Sequence, residues 1–324
     1  MDKYKTNLLN LSKIVAFLVI CALLLHTLSP IFVPKNNNSQ SGIKYENARG
    51  FYGENQSIDI ISVGNSDLYS AMNPLLLWKN HGYTAYTCAE PYQNIFSAYN
   101  LFKEVLKVQK PKLVILEVDE LFTKSEVDDL DELVNNTLKH TFPIFEYHSR
   151  WKSLRGNDFK NLDPQYDARM ESKGYIFHNN VKSNPEGFKY MKKKRNSKLS
   201  TTTKLYLDKF IKLARDNQCE VLFVWFPSAT TATTARHKAI QKIANQNQIP
   251  FIDFNMNQYD TGFDWATDTR DGGNHLNYSG AQKVTKYMGK YIEQNYQLTD
   301  HRGDQNYEQW NKDLESFLKR NKLS

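Results

Sequence analysis

Two short segments at opposite ends of the chain hold residue types that could do acyl chemistry together. The first is Val63-Gly64-Asn65-Ser66-Asp67-Leu68. Gly64 allows a tight turn, and Ser66 then opens a helix, where its backbone N–H points outward and the dipole favours negative charge. A serine placed this way can attack a carbonyl while its own N–H holds the oxyanion. Serine at a helix start is also a common N-cap, which is the structural alternative. The second segment is Asp268-Thr-Arg-Asp271-Gly-Gly-Asn-His275-Leu-Asn277-Tyr-Ser-Gly280. It sets one histidine in a Gly-rich loop with two acids. A carboxylate beside the imidazole fixes its tautomer and stabilises the imidazolium, so His275 can act as general base for Ser66. Asp271 is the expected acid and Asp268 the reserve. The same three residues could ligate a metal, but no second histidine stands at a metal-site spacing, so no metal is expected.

These residues need elements to carry them, and the chain supplies an alternation of apolar runs and helical stretches. Buried strands are expected at 58–64, 83–88, 112–118, 220–226 and 250–254. Helices are expected at 67–80, 96–108, 203–217, 235–246 and 279–295. Strands separated by single helices imply right-handed crossovers and a parallel sheet. The expected fold is a three-layer α/β/α sandwich, flavodoxin-like, with a mostly parallel sheet of about five strands. In such sheets ligands bind where strands end and helices begin, which is where Ser66 falls. Two regions break the rhythm. Residues 121–200 are polar and aromatic-rich, expected as an insertion of short helices and loops. A C-terminal helix is expected at about 304–320, with Trp310, Leu314, Phe317 and Leu318 on the face that packs against the domain.

The N-terminus bears on the compartment. Residues 14–34 contain no Asp, Glu, Lys or Arg. A helix of about 20 such residues crosses a ~30 Å hydrocarbon core. Lys3, Lys5 and Lys13 precede it, so residues 1–13 are expected to remain cytoplasmic. A cleaved signal peptide is the competing reading. Residues 35–50 begin as a polar tether (Lys35-Asn-Asn-Asn-Ser-Gln-Ser-Gly42), and 51–324 form the exported domain. The expected location is a single-pass cell-membrane protein with its catalytic domain extracytoplasmic. No P-loop and no G-x-G-x-x-G occurs, and no cofactor is expected.

Composition sets the outer limits. The chain has 324 residues, 40% hydrophobic and 24% charged, which excludes disorder, collagen, a coiled coil and a many-pass membrane protein. Its charge of +7 is mild and suits an anionic surface or polymer. Nucleic acid is not expected as a partner. Three cysteines without a C-x-x-C pair exclude a disulfide scaffold. Cys88 and Cys219 are available to pair in an oxidising compartment, subject to geometry.

At these motifs the sequence resembles the SGNH (GDSL-type) hydrolases. The strand-G-x-S is Gly64-Asn65-Ser66, and the late D…H element is Asp271…His275-Leu276-Asn277. It is most similar to the membrane-anchored branch of bacterial envelopes, with the teichoic-acid D-alanyl-transfer protein and exopolysaccharide O-acetyl-transfer proteins. That texture appears in order over residues 56–295: Lys110-Pro111 before a strand, Phe226-Pro227 closing another, Phe251-Ile-Asp253-Phe254, then His275-Leu-Asn277-Tyr-Ser-Gly280. The resemblance implies a serine esterase or O-acyltransferase acting through an acyl-Ser66 intermediate. It also implies cell-envelope polysaccharide or teichoic acid as substrate, and a multi-pass membrane O-acyltransferase beside the lipid bilayer as partners. Two departures stand out. The family spacing is D-x-x-H, yet Gly272 stands three before His275, so the loop carries one extra residue. The family's Gly and Asn blocks of the oxyanion hole are not evident, leaving Asn65, Gln93, Asn94 and Asp268 as candidates for oxyanion or substrate contacts. A different class is therefore kept open, a non-catalytic glycan-binding or assembly protein on this scaffold.

Overall fold

Runs such as Ile60-Ile-Ser-Val-Gly64 and Leu113-Val-Ile-Leu-Glu117 are buried at every position, as strands covered on both faces must be. The computed structural model that supplies the three-dimensional structure describes residues 2–122, 125–256 and 258–323. Among these residues the sheet has five strands: β1 (Ile60–Gly64), β2 (Ala85–Ala89), β3 (Leu113–Glu117), β4 (Glu220–Trp225) and β5 (Phe251–Asp253). All pair in parallel, in the order β2-β1-β3-β4-β5. This is the expected α/β sandwich, with the flavodoxin-like switch point between β1 and β3. Gly64 closes β1 for a steric reason. A Cβ there would stand 2.5 Å from Cβ of Glu117 on β3.

The chain divides into two compact units. One runs from the N-terminus to Lys44 and takes in Glu132–Tyr166; the other comprises Tyr45–Asp131 and everything from Asp167 on. In the first unit the helix α1 spans Asp2–Phe32. It starts earlier than the apolar stretch, because Leu8, Leu9 and Leu11 extend the helical run. Tyr4–Phe32 contains an 18-residue apolar window with no buried residue, and the helix is long and apolar enough to cross a membrane.

The second unit holds the sheet. The stretch expected as one helix over 67–80 is two, α2 (Ser66–Ala71) and α3 (Pro74–His81). Pro74 cannot donate to a preceding turn, and the Asn73 side chain instead accepts the Leu75 N–H at 3.1 Å, restarting the helix. The helix α4 (Ile95–Val105) follows β2. Where short helices and loops were expected, α5 runs for 16 residues, Glu126–Thr141, beginning in the second unit and continuing into the first from Glu132 on. Acids in its first turn and Lys139 and His140 in its last complement the helix dipole. The helices α6 (Thr201–Asp216), α7 (Thr234–Asn247), α8 (Tyr278–Asn295) and α9 (Glu308–Arg320) complete the unit. Cys88 and Cys219 are not joined. Both are buried free thiols, and burial pushes Cys219 up to about 12.

On α9, Trp310 and Phe317 pack with Trp78 of α3 and Tyr175. Beneath them lies a fully buried cation. Lys173 places Nζ 2.7 Å from both Glu54 Oε1 and Asp313 Oδ2, 4.2 Å above the Trp310 ring. Arg169 also pairs with Asp313. Removing one partner of a buried ion pair leaves the other charges uncompensated. Lys173→Met is therefore expected to cost about 3–5 kcal/mol. Urea unfolding should show a lower midpoint at unchanged slope; a midpoint equal to that of the natural chain would refute this role.

Candidate active site

Ser66 and His275 meet at the carboxyl end of β1. Ser66 is the first residue of α2, half-buried, and its Oγ lies 2.8 Å from His275 Nε2. His275 Nδ1 lies 2.5 Å from Asp271 Oδ2. The loop that presents the histidine is closed by backbone pairing. Thr269 and Leu276 form an antiparallel bridge, and the Arg270 N–H donates to the His275 carbonyl at 3.0 Å. The extra loop residue is absorbed at Gly272, whose φ of +71° is the left-handed conformation that glycine adopts without strain. Inside the loop, Asp271 Oδ1 accepts the N–H of Gly273 at 2.8 Å and of His275 at 3.3 Å, leaving Oδ2 for the imidazole.

These bonds set the protonation pattern. Partial burial pushes the Asp271 carboxyl up, but the hydrogen bonds from His275 and the Gly273 N–H outweigh it and hold it at about 2. An ionised carboxylate only accepts, so Nδ1 of His275 carries the proton. Nε2 then presents its lone pair to the Ser66 hydroxyl.

A second acid lies beneath the pair. Asp67 is fully buried, with Oδ1 3.8 Å from His275 Nε2 and held at 2.7 Å by the Asn274 amide. Burial, and then the charge of neighbouring Asp119, push its carboxyl well above the usual range. Burial does the same to Glu117, with the Asp119 and Asp67 charges adding to it.

The structure brings together Ser66, His275 and Asp271 and commits Asn65, Asn94 and Asp268 elsewhere. Asn65 caps α2, accepting the Asp67 N–H at 2.8 Å. Its amide donates to Asp119 Oδ2 at 3.2 Å and Glu120 Oε1 at 3.1 Å, so it is not a free oxyanion donor. Asn94 caps α4 by accepting the Ser97 N–H at 3.0 Å. Asp268 is buried away from the imidazole, bonded at 2.7 Å to Lys283 and at 2.8 Å to Ser279 of α8. It anchors that helix to the loop and is not the acid of the site. Gln93 follows a turn whose Glu90 N–H donates to the Gly64 carbonyl at 3.3 Å. It is buried, and neither end of its amide has a partner among the described residues.

Several neighbours were not singled out from the sequence. Tyr69, one turn after Ser66 on α2, has its hydroxyl within reach of both the Ser66 side chain and the Arg270 guanidinium. The spacing of three residues was the available signal. His178 also faces Arg270 and His275. Burial, then the Arg270 charge and the neighbouring His275, lower its pKa. Asp119, two residues after β3, accepts from Trp225 Nε1 at 2.9 Å and from Thr231, tying β4 to the Asn65 cap.

No family model matches this chain, and no curated protein is significantly similar to it. Solved structures are similar to it in fold. One is a lipolytic protein of the G-D-S-L family from Desulfitobacterium hafniense DCB-2, 10% identical, with 72% of this chain and 99% of that chain covered at a TM-score of 0.41. Another is the lipase/acylhydrolase from Enterococcus faecalis, 10% identical, with 74% and 98% covered at a TM-score of 0.39. An acetyl xylan esterase from the rumen bacterium Butyrivibrio proteoclasticus is 11% identical, with 72% and 63% covered at a TM-score of 0.32.

Proposed function

We propose that this chain is a membrane-anchored, extracytoplasmic serine esterase or O-acyltransferase acting on acyl groups of cell-envelope polysaccharide or teichoic acid. The observation that carries the chemistry is the Ser66–His275–Asp271 relay, with 2.8 Å and 2.5 Å between its members. Ser66 Oγ bonds to the acyl carbonyl carbon as its proton passes to His275 Nε2. The bond to the leaving oxygen then breaks, and His275 returns the proton to that oxygen. Water, or a sugar or polyol hydroxyl, attacks acyl-Ser66 and gives its proton to His275. Collapse restores the Ser66 hydroxyl and releases acid or a new ester. Throughout, the Asp271 charge stabilises the imidazolium. The Ser66 N–H is the assigned oxyanion donor, and Gln93 is the remaining side-chain donor of those expected.

The substrate class is supported by charge. Arg270, on the loop that carries His275, stands beside Tyr69 and suits a substrate bearing phosphate or carboxylate. The apolar α1 supports anchoring, and the lysines ahead of it support an N-terminus in the cytoplasm.

The test is labelling of the full chain with a fluorophosphonate, with the adduct located by mass spectrometry. An adduct on Ser66 that disappears in His275→Ala is expected. Labelling that survives the loss of His275, or no adduct at all, would favour the glycan-binding alternative and count against the relay.

A further inference from the structure

The first unit carries an apolar and basic surface that the catalytic reading does not use. We propose that residues 142–162 form a collar that lies in the membrane interface where α1 leaves the hydrocarbon, with lipid as its partner. The proposal rests on α1 being the membrane anchor.

Hydrogen bonds tie the collar to the end of α1. The Arg150 guanidinium is buried and donates to the carbonyls of Phe32 at 2.7 Å and Val33 at 2.9 Å. It thus caps two of the carbonyls that a helix C-terminus leaves unpaired. Asp158 pairs with the same guanidinium at 3.0 Å and accepts the Arg155 N–H at 2.7 Å, holding the one-turn helix Gly156–Lys160 in place. The Ile144 N–H donates to Ser29 Oγ at 3.4 Å, and the Gln165 N–H to the Lys35 carbonyl at 2.8 Å. Wherever α1 emerges from lipid, this segment emerges with it.

Its outward residues match that depth. Phe145, Trp151, Phe159 and Leu162 are exposed, Trp151 at 65% and Phe159 at 59%. Lys152, Arg155 and Lys160 are exposed between them, and Lys152 Nζ lies 5.6 Å from the centre of the Trp151 ring. Aromatic rings prefer the headgroup level, and long basic side chains beside them reach lipid phosphates. In water the same aromatic surface would stand uncovered beside an equally uncovered α1. A bilayer covers both at once. The occupant is thus argued from continuity: the apolar surface of the collar adjoins the end of a helix whose apolar 18-residue window is unburied.

Trp151 also makes the test selective. The chain has five tryptophans, and Trp78, Trp225, Trp265 and Trp310 are buried. The full chain is placed in phosphatidylcholine–phosphatidylglycerol vesicles whose acyl chains are brominated close to the headgroup, and tryptophan emission is compared with unbrominated vesicles. Emission is expected to fall by up to one tryptophan's share in five, and the Trp151→Phe variant should lose most of that fall. Bromine at the chain ends should quench less. Carbonate-resistant sedimentation with the vesicles reports the anchor separately. A chain that stays with the vesicles but shows equal, unquenched emission in both variants overturns the collar and leaves the anchor standing. A chain released by carbonate overturns both.

Discussion

Replacing Ser66 by alanine should lower acyl turnover by at least about 10⁴-fold, because a nucleophile that acts as one unit with its base cannot be removed in part. The fold should be unaffected. The cap on α2 is made by Asn65, through its bond to the Asp67 N–H, and Ser66 contributes to it only its backbone. Its hydroxyl faces His275 Nε2 and Tyr69, so the change removes a small, half-buried group without opening a core cavity. Turnover of an activated acetyl ester, together with thermal unfolding, reads both halves of the expectation. A variant that keeps a tenth of the natural rate would sink the acyl-Ser66 mechanism, whatever its stability.

Asp271→Asn is expected to cost about 10³–10⁴-fold in kcat, and for a different reason. The natural carboxylate can only accept, so it selects the tautomer with the proton on Nδ1. An amide in its place can donate to Nδ1, and the proton then sits on Nε2. His275 would offer Ser66 a donor where a base is needed. The pH dependence follows from the low pKa. Asp271 at about 2 is ionised at every pH above about 4, so the acidic limb of the natural chain's acyl turnover is expected to belong to another group. The linked stability has the usual sign for a depressed carboxyl. It is fully present above the ordinary value of 3.8 and is lost as pH falls from there towards about 2. Asp271 is partly exposed, so this contribution is small beside its effect on rate. A pH–rate profile of both chains checks the assignment. An Asp271→Asn variant with unchanged kcat at neutral pH would require another acid for the histidine.

The pair Ser66 and His275 was readable because each sits in a local signal. Gly64-Asn65-Ser66 ends an apolar run, and His275 lies in a loop rich in Gly and Asp. The sheet was readable for a similar reason, since runs such as Leu113–Glu117 are apolar at successive positions and helices separate them. The break at Asn73-Pro74 was also written locally, but helical spacing on both sides of it hides it. The helix α5 was harder. Its apolar residues Val127, Leu130, Val134 and Leu138 stand at helical spacing among acids, but they are exposed in the structure and join no core that the strand pattern implies.

The roles of the polar residues around the site were decided only in three dimensions. Asn65, Asn94 and Asp268 each look available in the sequence, yet each is used by a cap or by α8. Asp67 stands next to the nucleophile in sequence and beneath it in space. Its burial beside Asp119 comes from the pairing of β1 with β3. Arg270 reaches Tyr69, and Lys173 reaches Glu54 and Asp313, across long stretches of chain. Sequence by itself determined the order of strands and helices along the chain, the apolar N-terminal helix, and the two segments that carry Ser66 and His275, because these rest on neighbours within a few residues. The tertiary structure alone decided which amides and acids remain free for a substrate. A polar group spends its hydrogen bonds on whatever the fold places within about 3 Å of it, and that distance is not a property of sequence separation.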